Sequence, residues 1–136
     1  MKSNKYNPES IRRAFQFLID DFGYTILRDE ELFHDSRPYA FVIEYIGNER
    51  RILLNHEYRD NFFDFKIIRG LDTQYPNDKD FENIIPFLKI FISFNPLLNL
   101  RSLQPSDKKT CAEVASMNAQ LLKTYAPNIL RGDEWC

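Results

Sequence analysis

Apolar residues recur along this chain with two different periods, and the change of period divides it into segments. Ile11, Phe15, Leu18, Ile19 and Phe22 fall three or four apart and form one stripe, with Arg12, Arg13, Gln16 and Asp20 turned away from it. That spacing predicts an amphipathic helix. Asn7-Pro8-Glu9 suits its start, as a capping amide, a first-turn proline and an acid at the positive end of the helix dipole. Gly23 offers the left-handed residue that stops it.

The period then shortens to two. Tyr24 to Leu27 is short and β-prone, and the acidic run from Asp29 to Ser36 reads as a loop. From Tyr39 to Ile46, Tyr39, Phe41, Ile43 and Tyr45 share one face, and Ala40, Val42, Glu44 and Ile46 the other. A second face that is itself mostly apolar suits a central strand. Gly47-Asn48 marks a turn, Arg51 to Asn55 returns with Ile52 and Leu54 inward, and Tyr58 to Asn61 breaks the pattern. Phe63, Phe65 and Ile67 then alternate with Asp64, Lys66 and Ile68 in a further strand ending near Gly70.

Leu71 to Asp80 is turn-rich, after which Phe81, Ile84, Ile85, Leu88 and Ile92 suggest a helix. Pro86 sits there either in the first turn after an Asn83 cap or as a kink. Leu97 to Leu103 is irregular or a short helix. A last long helix follows Pro105-Ser106-Asp107, with Thr110 and Glu113 spaced as a capping box and Cys111, Val114, Ala115, Leu121, Leu122 and Tyr125 on its inner side. Ala126-Pro127-Asn128 breaks it, and Ile129-Leu130 packs a final turn before Gly132. The expected fold is α+β in one domain over 1–136: an N-terminal helix, an antiparallel meander of three to four strands, then two to three helices packed on one sheet face.

Composition narrows the setting. A chain of 136 residues with 15% aromatics can fill a core without staples. Its net charge of −2, with Lys and Arg scattered among acids, argues against a nucleic-acid partner. Only Cys111 and Cys136 are present, which is no disulfide framework and fits a reducing cytoplasm. Met1-Lys2-Ser3-Asn4-Lys5 leads into no apolar run, so no signal peptide is expected, and the stretch from Ile84 to Phe94 is too short and too interrupted to span a membrane.

Catalytic chemistry finds little support. His34, His56, Cys111 and Cys136 lack the paired spacing of metal ligands, so no metal or other cofactor is expected. His56 is in phase with Ile52 and Leu54, as a buried, hydrogen-bonded histidine would be, and His34 belongs to loop polarity. Cys111 lies on an apolar helical face with its thiol protonated, and four glycines cannot build a nucleophile elbow or phosphate loop. The enzyme-like exception is Asp64-Phe65-Lys66. An acid two before a lysine shares its strand face, and with Glu44 or Glu57 as a second acid it could hold a divalent metal and activate water for phosphodiester hydrolysis. The helix-then-strands order is similar to the restriction-endonuclease-like fold. A solvated strand face gives the same alternation.

Acids gather twice, around Asp29, Glu30, Glu31 and Asp35 and around Asp72 and Asp78. Joined in the fold, they would make a negative surface that steers toward a basic partner, although loops and helix starts collect acids in any case. Tyr39, Tyr58 and Tyr75 stand near them as anchors for a protein interface. These nine residues form the expected partner-binding set.

The chain also resembles small bacterial immunity-like proteins of polymorphic toxin systems. Phe15-x-Phe17-Leu18, Phe22-Gly23-Tyr24, Phe41-x-Ile43-x-Tyr45 and Ile52-x-Leu54 carry the likeness, together with the tail from Tyr125 through Ala126-Pro127-Asn128-Ile129-Leu130-Arg131-Gly132 to Asp133. The resemblance implies a non-catalytic cytoplasmic protein that binds a cognate toxin and blocks it, and it transfers no functional residue. A regulatory or scaffolding domain with a host partner predicts the same surface.

Overall fold

The computed structural model describes residues 8–59, 62–70, 84–86 and 111–133. An N-terminal helical segment, an antiparallel meander and C-terminal helices follow one another, as the α+β expectation required. The elements are α1 (Pro8–Ala14), α2 (Phe17–Asp20), β1 (Thr25–His34), β2 (Arg37–Gly47), β3 (Arg50–Glu57), β4 (Phe62–Arg69), β5 (Ile84–Pro86), α3 (Cys111–Tyr125) and α4 (Pro127–Arg131). Neighbours in sequence are neighbours in the sheet, which runs β1-β2-β3-β4-β5 with every pairing antiparallel.

The expected single first helix is interrupted between α1 and α2. Leu18 and Ile19 donate to the carbonyls of Phe15 and Gln16, three residues back, at 3.1 and 3.0 Å. Such a tightened turn brings residues i and i+3 into line. Phe15 and Leu18 are both completely buried as a result. Gly23 then ends the segment at φ +77°, with the N–H of Tyr24 reaching back to Leu18 at 2.9 Å and its own to Ile19 at 3.2 Å. This is a left-handed glycine closing a helix by bonds to its last carbonyls.

Two expectations are corrected. The acidic run from Asp29 is not a loop: β1 extends through His34, and Asp35-Ser36 alone turn the chain, at φ +50° and +66°. Two consecutive left-handed residues make the tight hairpin turn whose twist matches the strands it joins. Asn48-Glu49 makes the same kind of turn at φ +50° and +61°. Charged side chains concealed β1 because an edge strand need not alternate. The second correction concerns the helix expected from Phe81 to Ile92, of which Ile84–Pro86 is strand β5, paired to Lys66, Ile67 and Ile68. A short apolar run looks alike in both periods, and proline is tolerated in an edge strand. The rest of that segment, the stretches Leu71–Asp80 and Leu97–Leu103, and the caps at Asn7 and Thr110 lie outside the described residues.

One face of the sheet carries the helices. Phe41, Ile43 and Tyr45 of β2, Ile52 and Leu54 of β3, and Phe63, Phe65 and Ile67 of β4 meet Ile11, Phe15 and Leu18 on one side and Ala115, Ala119, Leu122, Ile129 and Leu130 on the other, in one buried cluster. Phe15 is central, stacked on Phe63 and edge-on to Phe65 at centroid distances of 6.0 and 6.2 Å. The other face is closed around the middle of the sheet as well: Ala40, Val42, Glu44, Arg51 and Ile68 are all buried. Among the described residues no helix is long and apolar enough to cross a membrane.

The tail from Tyr125 to Asp133 is anchored by polar bonds. A helix leaves its last carbonyls without intrahelical partners. At the end of α4 the Tyr24 hydroxyl donates to the Leu130 carbonyl at 2.7 Å, Asn48 Nδ2 to the same oxygen at 2.8 Å, and Arg50 Nε to the Ile129 carbonyl at 2.7 Å. Asn48 also donates to the Phe22 carbonyl at 2.9 Å, so one side chain of the β2–β3 turn ties both helical ends together. Gly132 closes α4 at φ +86°.

Candidate functional site

The first acidic group lies on the β1–β2 hairpin. Asp29, Glu30 and Glu31 follow one another on β1, Asp35 occupies the turn, and Tyr39 stands near the start of β2. Asp72, Tyr75 and Asp78 lie outside the described residues. Side chains alternate along the strand, so Asp29 and Glu31 project to the helix-bearing face and Glu30 to the other. The pairing agrees, since Asp29 and Glu31 oppose core residues Ile43 and Phe41.

The two inward-facing acids are held in place. Arg12 donates to Asp29 through Nε and Nη2 at 2.7 and 2.8 Å, and its guanidinium lies 5.0 Å from the centre of the Phe41 ring. The hydrogen bond to Asp29 raises the already high guanidinium pKa further. Glu31 accepts a 2.7 Å bond from the Tyr58 hydroxyl. Tyr58 was expected as an exposed anchor and is buried, with His56 edge-on to its ring at 5.4 Å. Burial likewise takes in Tyr45, whose phenol pKa is pushed up by desolvation. Tyr39 remains exposed. Glu30 is half exposed and 3.7 Å from Arg28, while His34 and Asp35 form an open pair at 3.5 Å.

What the charge pattern did not reveal is the apolar surface around these acids. Ile26 and Leu27 before them and Phe33 after them are 45%, 55% and 58% exposed. Phe33 and Tyr39, with Leu32 and Ala40, form the apolar wall of a cleft of about 660 Å³, and Asn55 and Glu57 line it from β3. His34 and Arg59 also border it. Leu32-Phe33 within a charged run was the available signal. In a true loop of that composition, two adjacent large apolar residues would be out of place.

Known protein families, curated proteins and solved structures yield no match to this chain.

Asp64 and Lys66 do share a strand face, as the nuclease reading requires, and both are half-buried there. Glu44 projects to the same face but lies between two arginines, 4.0 Å from Arg28 and 3.9 Å from Arg51. A carboxylate so placed balances buried guanidinium charge. Glu57 lies at the cleft, and the described residues contain no group of three or more His, Cys, Asp or Glu side chains that could hold a metal ion. His56 is buried beside Phe41 and Phe63, its opposite numbers on β2 and β4.

Proposed function

We propose that this chain is a non-catalytic protein-binding domain that meets its partner on the β1–β2 hairpin, and that the partner is a toxin neutralised by direct binding in the cytoplasm. One observation carries the surface assignment. Of the five large apolar side chains left exposed among the described residues, Ile26, Leu27 and Phe33 lie on β1 and Tyr39 on β2, while Phe62 on β4 pairs with Glu57 at the edge of the cleft. Scattered apolar residues are ordinary on a protein surface, whereas exposed aromatic side chains lining a cleft, as Phe33 and Tyr39 do, mark an interaction site. Aromatic side chains rimmed by charge are also the usual composition of protein interfaces. The toxin as partner rests on the resemblance to immunity-like proteins alone.

Co-expression with the product of the adjacent gene tests the reading. Growth should be rescued and the two proteins should co-purify, and a Phe33→Ser, Tyr39→Ser double variant should bind at least about tenfold more weakly, given the weight of aromatic anchors. Its urea midpoint should match that of the unaltered chain. Absence of both rescue and co-purification refutes the proposal.

A further inference from the structure

Among the described residues β1 is an outer strand of the sheet, with β2 on one side and no strand on the other. Such an edge presents a row of unpaired N–H and C=O groups, a ready template for another chain. None of its ten residues is buried. Ordinary protection of an edge relies on short strands, proline, charged side chains or bulges. β1 is long and lacks proline. Its protection is the run of charges from Arg28 to Glu31 and two register irregularities, between Ile26 and Arg28 and between Leu32 and Phe33, so an added strand must match that charge. Between those irregularities, Arg28 to Leu32 runs in unbroken register with β2.

The side chains select the occupant. Asp29, Glu30 and Glu31 are consecutive at the middle, with exposed apolar residues at both ends. A second copy paired antiparallel about this centre would set Asp29 against Glu31 and Glu30 against Glu30, and like charges directly opposite destabilise a pair of strands. A basic strand reverses the sign. Arg12 and Arg28 offset part of the negative charge, so the attraction is modest and sensitive to salt. Glu30 is 47% exposed and only loosely paired at 3.7 Å, whereas Asp29 and Glu31 are held by Arg12 and Tyr58.

We infer that β1 accepts an extended segment of a partner protein as an added strand, one carrying lysine or arginine at its middle and apolar side chains at both ends. This rests on the protein-binding reading above and narrows it to one rim and one partner chemistry. Main-chain bonds along the open edge supply affinity, and the acids with their apolar flanks supply register and choice.

The full chain is titrated with three labelled nine-residue peptides that alternate valine with threonine. One has lysine at its two central polar positions, the second has glutamate there, and the third is the lysine peptide with every backbone amide methylated. The lysine peptide should bind and slow hydrogen exchange at the amides of β1. The glutamate peptide should bind about fivefold more weakly, as expected for one or two cross-strand charge pairs. The methylated peptide should lose binding by at least about tenfold, since it cannot donate to the edge. Glu30→Lys should reverse the preference between the first two, and the panel on the unaltered chain decides the matter even where that variant fails to fold. No binding of the lysine peptide overturns the inference, as does binding indifferent to methylation or unchanged exchange in β1. Sedimentation showing a dimer of the chain that the peptide dissociates also overturns it, making a second copy the occupant. A natural partner that co-purifies equally with the unaltered chain and Glu30→Lys, while no peptide binds, removes strand addition and leaves the protein-binding reading standing.

Discussion

The Leu130 carbonyl accepts two side-chain bonds, from the Tyr24 hydroxyl and from Asn48 Nδ2, and this sharing makes a quantitative prediction. Tyr24→Phe removes one donor and leaves the other, so the oxygen stays satisfied and the loss is that of one net hydrogen bond, about 1 kcal/mol. Asn48→Gly removes the other donor and the bond to Phe22. Glycine tolerates the backbone of φ +50° at that position, so the substitution adds no strain. Its cost is about 1–2 kcal/mol. The double variant strips both donors from the oxygen, and an unsatisfied buried acceptor costs a further ~1–3 kcal/mol in desolvation. Together the two changes should therefore destabilise by more than their sum, with a coupling of at least about 1 kcal/mol, within the range seen for residues sharing one partner. Equilibrium urea unfolding followed by far-ultraviolet circular dichroism measures all four corners of the cycle, with unchanged slopes confirming a common unfolded state. Additivity within about 0.5 kcal/mol would refute the reasoning, since independent bonds add.

Gly132→Ala should destabilise by about 1–2 kcal/mol, the cost of a left-handed backbone for an L-residue, because φ is +86° and a β-carbon would lie 3.0 Å from the Asn48 carbonyl oxygen; a urea midpoint unchanged from the parent would contradict this. Burial pushes the Tyr24 phenol up to about 12 from an ordinary 10. The folded state therefore holds its proton where the unfolded chain releases it, so the associated stability is complete below pH 10 and is lost as pH rises toward 12. Tyr24→Phe should flatten that alkaline decline, which urea midpoints between pH 9 and about 11.5 would show. Phe15→Ala should cost about 3–5 kcal/mol, as for other emptied aromatic core sites, because the ring is wholly buried against Phe63 and Phe65; a loss under about 1 kcal/mol would mean that the site collapses to fill the space.

Several elements were legible in the residues because local physics and burial point the same way there. β2, β3 and β4 alternate cleanly over the helix-bearing face, and a slip by one residue would expose every core side chain. Gly23 and Gly132 end helical segments for a local reason as well, since glycine reaches the left-handed region without steric cost. The distinctive tail was readable as a packed helix end, but its partners were not: Tyr24, Asn48 and Arg50 lie about 80 to 106 positions away in sequence. No local pattern announces which distant donor will meet a given carbonyl.

Of this protein, the sequence by itself determined the α+β order, the hairpin-connected strands and which alternate positions face the interior, because periodicity records burial. The tertiary structure alone decided that the acidic run is a strand, that Asp29 and Glu31 are occupied by Arg12 and Tyr58, and that Ile26, Leu27, Phe33 and Tyr39 stay outside. An edge strand has one neighbour instead of two, so no alternation is imposed on it, and its character emerges only when the remaining strands have taken their places.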